Sequence, residues 1–295
     1  MAEQTTSPEG YVFGVSGEGY ARLAARAAMT LRKVAPGAQI DIFTDAEVPE
    51  GVFDRIHQLE KSWFRPKFEA LRRSRFERTV YLDADMFILA DISDVFEVLE
   101  RFDFAAVHSQ RRNSAWSTEL WRRPLPAAFP QINGGLLGVR KSPRTLAFID
   151  EAERIMDAEG LKKDQPLFRE MLFDSDLRIA ILPPEYNLTE FRWVEMYTPR
   201  HGAPRVLHHF KLHAHIWKGR QEIGSFDALV GPQLAGHIRR LIAVDRAIRN
   251  DPDAPAKASA WQKRFGLPLV DQGPLGTLRL IWLQACKAIL GRFSR

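Results

Sequence analysis

The chain of 295 residues has one cysteine, Cys286, so no internal disulfide can form, as suits a reducing compartment. It has no run of about 18 apolar residues, and no membrane-spanning helix is expected. The opening residues, MAEQTTSPEG, lack a basic stretch followed by an apolar one, so no secretory signal is expected either. No repeat recurs at a solenoid period. There is no H-x-x-x-H with a following Glu, which argues against a zinc hydrolase. G-x-G-x-x-G and G-x-x-x-x-G-K-[ST] are also missing. Acidic residues are outnumbered 37 to 42, for a formal charge of +5. That favours an anionic partner without choosing among nucleic acid, lipid and a phosphorylated small molecule. The expectation is a cytoplasmic protein, either free or peripheral on the inner face of the membrane.

What is present reads as alternating strands and helices. YVFGVSG is β-rich and ends in a glycine loop. YARLAARAAMTLRKVAP has helical spacing and stops at Pro36. IDIFTD reads as a strand, RPKFEALRRSRF as a helix with proline in its first turn, RTVYLDADMFIL as a strand, DISDVFEVLE as a helix and FDFAAVHS as a strand. This order predicts an α/β fold: a Rossmann-like, mostly parallel sheet with helices on both faces. Further on, QINGGLLGVRKS reads as a turn into a strand, and PRTLAFIDEAERIMDAEG as a helix closed by Gly160. DQPLFREMLF reads as a helix with Asp164 at its cap. Residues 1–222 are expected to form the main domain. Residues 223–295 are expected to form a helical extension whose last stretch, 275–295, is basic and amphipathic and suited to an anionic membrane surface.

Asp83 and Asp85 end the apolar strand TVYL at i and i+2, so in extended chain both point to one side. Two like charges there are costly unless a cation joins them; a strand end capping the next turn is the plainer reading. In such sheets ligands bind beyond the carboxyl ends of the strands. The stretch HHFKLHAH holds four histidines, and imidazole combined with carboxylate suits Mn2+ better than Mg2+ or Ca2+. Asn133 beside two glycines permits a ligand to approach the backbone. Between the aspartates and Asn133, Ser109–Pro130 is a long loop with two tryptophans and four arginines, a composition common in active-site lids.

In this order, from about Tyr11 to Trp217, the segments resemble the family 8 glycosyltransferases, the glycogenin and lipopolysaccharide galactosyl- and glucosyltransferase group. The resemblance implies a GT-A fold, a nucleotide-sugar donor, usually a UDP-sugar, Mn2+ (with Mg2+ as a substitute) and retention of configuration. YLDAD looks like the family's metal-binding segment, which makes Asp83 and Asp85 ligands. HFKLHAHIW resembles H-F-x-G-x-x-K-P-W, and its spacing to Trp217 picks His209 as the third ligand. INGG would bring Asn133, Gly134 and Gly135 to the donor sugar. KDQPLF would set Asp164 on sugar hydroxyls and Gln165 beside the reacting carbon. VSGEGYA would line the base pocket with Val15 and Ser16 and stack Tyr20 on uracil. RPK would bring Arg65 and Lys67 to the diphosphate or sugar.

Two departures stand out. Gly17 occupies the place of an acidic residue that usually faces the base, and His215 replaces the phosphate-binding lysine of K-P-W, leaving Lys211, Lys218 or His215 itself to supply charge. The expected acceptor is a glycan or a lipid-linked saccharide. Trp116 or Trp121 would stack on it, and Arg111, Arg112, Arg122 or Arg123 would meet its acidic groups. The rival readings are a nucleotidyltransferase, which would want a cation in the opening loop, and a catalytically degenerate membrane-associated scaffold. A nucleic-acid partner is not expected, because basic and aromatic residues interleave only in the loop and tail. An oligomer is allowed.

Overall fold

The computed structural model describes residues 8–61, 65–214, 216 and 222–249. The chain begins with β1 (Glu9–Val15), α1 (Glu18–Val34), β2 (Ile40–Thr44), β3 (Arg55–Gln58), α2 (Lys67–Arg73), β4 (Arg78–Leu82) and β5 (Met86–Ile88). It continues through α3 (Asp94–Leu99), β6 (Phe104–His108), β7 (Ile132–Arg140), α4 (Pro143–Glu159), α5 (Gln165–Asp174) and β8 (Ile179–Leu182). Then come α6 (Phe191–Val194), β9 (Val206–His208), α7 (Phe226–Val230), α8 (Pro232–Val244) and α9 (Arg246–Arg249). The expected amphipathic segment 275–295 and Cys286 lie outside the described residues.

Among the described residues, seven strands make one sheet in the order β3-β2-β1-β4-β7-β6-β8. β1 pairs parallel with β2 and β4, and β6 parallel with β8, while β7 runs antiparallel to both of its neighbours. Alternation along β1 explains why both faces are covered. Tyr11, Phe13 and Val15 pack with α1 and α3, whereas Val12 packs with α2, α4 and α5 on the other face. The buried face of α1 is made mostly of small side chains, Ala21, Ala24, Ala25 and Ala28, joined by Leu23 and Leu31. Phe68 and Phe168 meet edge-to-face across the opposite layer, 5.7 Å between centroids, and both are fully buried. Burial of such a ring contributes about 1.5–3 kcal/mol.

One segment differs from its sequence reading. INGG is not a turn but the start of β7, extended throughout. Its glycines are needed because side chains from elsewhere press on that strand. A Cβ at Gly135 would lie 2.4 Å from Cε1 of His208, and one at Gly134 would lie 2.9 Å from Nζ of Lys67.

A second, two-stranded sheet pairs β5 antiparallel with β9, with Met86 opposite His208. A third apolar cluster beneath it joins Phe87, Leu188, Leu207 and Leu212 to Leu229, Ile238 and Leu241 of α7 and α8. The helical pattern after Ser225 breaks at Gly231, where φ is +87° and Pro232 follows. Among the described residues, no helix is long and apolar enough to cross a membrane.

Candidate active site

β4 delivers Asp83 and Asp85 just past its carboxyl end. The backbone N–H of Asp83 donates to the carbonyl of Gly135 at 2.8 Å, which extends the pairing with β7. Tyr81 Oη donates to Asp83 Oδ1 at 2.8 Å. The β5–β9 register then sets an imidazole against the pair: His208 Nε2 lies 3.2 Å from Asp85 Oδ1 and 3.9 Å from Asp83 Oδ2. Asp83, Asp85 and His208 each offer a ligand atom, all within 4.8 Å of one another.

His208 is held from behind. Its Nδ1 lies 3.0 Å from Asn187 Oδ1, and Asn187, fully buried, donates through Nδ2 to Asn133 Oδ1 at 3.1 Å. The amide orientation makes His208 Nδ1 the donor and leaves Nε2 facing the carboxylates. Burial alone would raise the pKa of Asp85, but His208 and His213 override it and hold the carboxyl well below the usual range. Burial likewise opposes charge on His208, yet Asp85 and Asp83 raise its pKa.

The imidazole that the family spacing picks, His209, is not the one at the carboxylates. Successive residues of a strand face opposite sides, so only one of the two histidines can reach them. His209 turns away, its ring 4.8 Å from that of Phe191 and 4.4 Å from that of Phe210, and its Nδ1 accepts the N–H of Lys211 at 3.1 Å. Burial first, then Lys211 and Arg111, push its pKa down to about 4.

Lys67, Asp164, Gly134 and Arg65 meet beside this cluster. Lys67 is buried, with Nζ 2.8 Å from Asp164 Oδ2, 3.1 Å from the Gly134 carbonyl and 3.9 Å from Asp83 Oδ1. Asp164 stands at the cap position of α5, yet its side chain makes no capping bond. It turns to the cations instead. Burial opposes its charge, while Lys67 and Arg65 bring its pKa down to about 2. Arg65 lies 3.9 Å from Asp164 and donates to the Lys162 carbonyl at 2.8 Å. Asn133 Oδ1 accepts the Gly135 N–H at 2.9 Å, and Gln165 opens α5.

The opening loop follows β1. Val15 is buried at the strand end. Ser16 Oγ and the Gly17 N–H donate to the two oxygens of Asp45, at 2.6 and 2.7 Å. Asp45 follows β2, next to β1, so a carboxylate reaches this loop from the neighbouring strand although Gly17 has none. The Tyr20 ring lies 6.2 Å from that of His213, and Ile216 crowds Gly19. Lys211 is exposed on its turn; His215, Trp217 and Lys218 lie outside the described residues.

The arginines of the 109–130 loop brace the chain itself. Arg111 pairs with Glu190, Arg122 with Glu159, Arg123 with Glu170 and Asp174, and Arg112 donates to the Ala127 carbonyl. The loop and the α4–α5 connection enclose a cavity of about 270 Å³ lined by Glu119, Trp121, Leu161, Lys162, Lys163 and Pro166. Trp116 is 65% exposed, with Nζ of Lys163 3.9 Å above its ring. Gln110, which is buried, accepts from Thr189 and Glu190 and donates to the Asn187 carbonyl, fixing the segment that carries Asn187.

The family model described as nucleotide-diphospho-sugar transferase matches residues 63–220. The chain belongs to that family. Solved structures agree on the fold. The transferase resembles the galactosyltransferase LgtC, solved in complex with donor and acceptor sugar analogs. The TM-score is 0.52 and the identity 13%, over 83% of this chain and 98% of LgtC. It also resembles the apo-form glycosyltransferase GlyE of Streptococcus pneumoniae TIGR4, with a TM-score of 0.54 and 15% identity over 83% of this chain and 64% of GlyE. Curated protein sequences give no match. The fold is GT-A, as the motif resemblance implies, and the protein is a glycosyltransferase of the nucleotide-diphospho-sugar type.

Proposed function

We propose that the transferase moves a hexose from a UDP-sugar to a hydroxyl of a glycan or lipid-linked acceptor, with a divalent ion and with retention of configuration. The observation that carries this reading is the convergence of Asp83, Asp85 and His208 within 4.8 Å, next to the Lys67–Asp164 pair. Two carboxylates and an imidazole fit Mn2+, while Mg2+ prefers oxygen alone. These three side chains would hold the ion. When bound there, it supplies Lewis-acid stabilisation of the charge developing on the leaving diphosphate.

The protein's own residues orient the sugar. Asp164, kept ionised by Lys67 and Arg65, accepts hydrogen bonds from donor-sugar hydroxyls. Its commitment to Lys67 makes it a poor nucleophile, and Gln165 beside C1 is an amide. Front-face attack follows: the C1–O bond to the diphosphate breaks, the acceptor oxygen bonds to C1 on the same face, and the acceptor proton passes to the leaving phosphate oxygen. Asn133 Oδ1 is occupied by Gly135 and Asn187, which leaves its amide N–H for a sugar hydroxyl. Gly134 and Gly135 face the same sugar, and Lys211, His215 or Lys218 supply positive charge to the diphosphate. Val15, Ser16 and Tyr20 line the base pocket, with Asp45 fixing their loop. The acceptor sits in the cavity beside Trp121, Lys162 and Lys163, next to the Asp164–Gln165 end of α5.

Calorimetric titration with UDP tests the reading. Binding in the micromolar range is expected with Mn2+ and should weaken at least tenfold when the metal is chelated. Binding that ignores the metal would contradict it.

A further inference from the structure

Asp85 is gripped from two sides. His208 Nε2 lies 3.2 Å from its Oδ1, and His213 Nδ1 lies 3.0 Å from its Oδ2. His213 falls outside the set of ligand atoms lying within 4.8 Å of one another, so it stands behind the carboxylate and not beside an ion. A short turn places it there. The backbone N–H of His209 donates to the Asp85 carbonyl at 3.2 Å, and its side chain caps the 3-10 turn Phe210–Leu212. Leu212 is fully buried in the third apolar cluster, and the His213 N–H closes the turn on the Phe210 carbonyl. The three histidines thus divide the work: His208 meets the carboxylates, His209 shapes the turn, and His213 returns to Asp85.

We infer that His213 is a positioning residue for the metal: its Nδ1–H holds Oδ2 of Asp85, so that Oδ1 is turned toward the space shared with Asp83 and His208. An ionised carboxylate only accepts, so the imidazole is the donor in this bond. The terminal torsion of an aspartate is soft, and without this bond the carboxylate swings between orientations. Partners behind a metal ligand typically carry 10- to 100-fold in metal affinity. The inference rests on the proposed ion site, and its test separates the two.

Mn2+ binding to the full chain is measured by electron paramagnetic resonance of the free ion, for the wild type, Asp85→Asn, His213→Ala, His213→Asn and His213→Gln. His213→Ala is expected to bind Mn2+ about 10- to 100-fold more weakly. His213→Asn sets an amide N–H where Nδ1 stood and recovers most of the loss. His213→Gln, whose amide reaches the Nε2 position, does not. The Asn–Gln contrast still decides the matter if the alanine variant folds poorly. Wild-type affinity in His213→Ala, or equal affinity of the Asn and Gln variants, overturns the inference and leaves the ion site standing. A wild type that binds no Mn2+ overturns the ion site itself.

Discussion

Lys67→Met is expected to destabilise the transferase by about 3–5 kcal/mol, because it strands a buried carboxylate. Lys67 and Asp164 are both buried, and their 2.8 Å contact ties α2 to the start of α5 across the amino end of β7. The loss has a pH signature. Asp164 has a pKa of about 2 in the folded chain against an ordinary 3.8. A depressed carboxylate pKa stabilises the fold at pH values above the unfolded pKa, and that contribution, about 2 kcal/mol, fades as pH falls toward 2. In Lys67→Met this acid-induced loss should shrink, since burial then favours the protonated form and Arg65, 3.9 Å away, is left to oppose it. Urea unfolding at pH 7 and pH 3 reads both effects. Adding Asp164→Asn to Lys67→Met should restore much of the stability, because no unpaired charge remains. A loss below about 1 kcal/mol in the single variant would mean that the pair is solvated and does not hold the site together.

The second large effect is on turnover. Asp85→Asn keeps the shape of the side chain, with its one oxygen left to accept from His213 and its amide N–H turned to Nε2 of His208, so the fold should be retained. It removes the negative charge that would bind the ion, and kcat should fall by on the order of a thousandfold. Donor hydrolysis and transfer should fall together, because both break the same C1–phosphate bond. Activity equal to wild type in a folded Asp85→Asn variant would remove the metal assignment.

Much of this site was legible in the chain, and its limits have a physical cause. A strand of apolar residues ending in two carboxylates locates Asp83 and Asp85, because local alternation and the cost of like charges are both visible in sequence. Helices α1, α2 and α4 follow from apolar spacing and from Pro66 and Gly160 near their ends. The choice between His208 and His209 was not legible. It depends on the register of β9 against β5, a pairing across more than a hundred residues that local spacing does not encode. The two glycines after Asn133 suggested a turn because glycine is common there. They are instead clearance for Lys67 and His208, which arrive from distant parts of the chain. Asn187, Gln110 and Asp45 carried no signal at all: each is one polar residue in or beside a loop whose role appears only once its partners are in place. The charge of the 109–130 loop was visible, but its pairing partners on α4 and α5 were not, so its arginines looked free.

The central claim is that Asp83, Asp85 and His208 share one divalent ion that grips a nucleotide diphosphate. Anomalous diffraction from crystals grown with Mn2+ and UDP tests it most directly. The account predicts one manganese peak within bonding distance of all three side chains and of the diphosphate oxygens. A peak on His209, or a bound diphosphate with no metal beside Asp83 and Asp85, would contradict it.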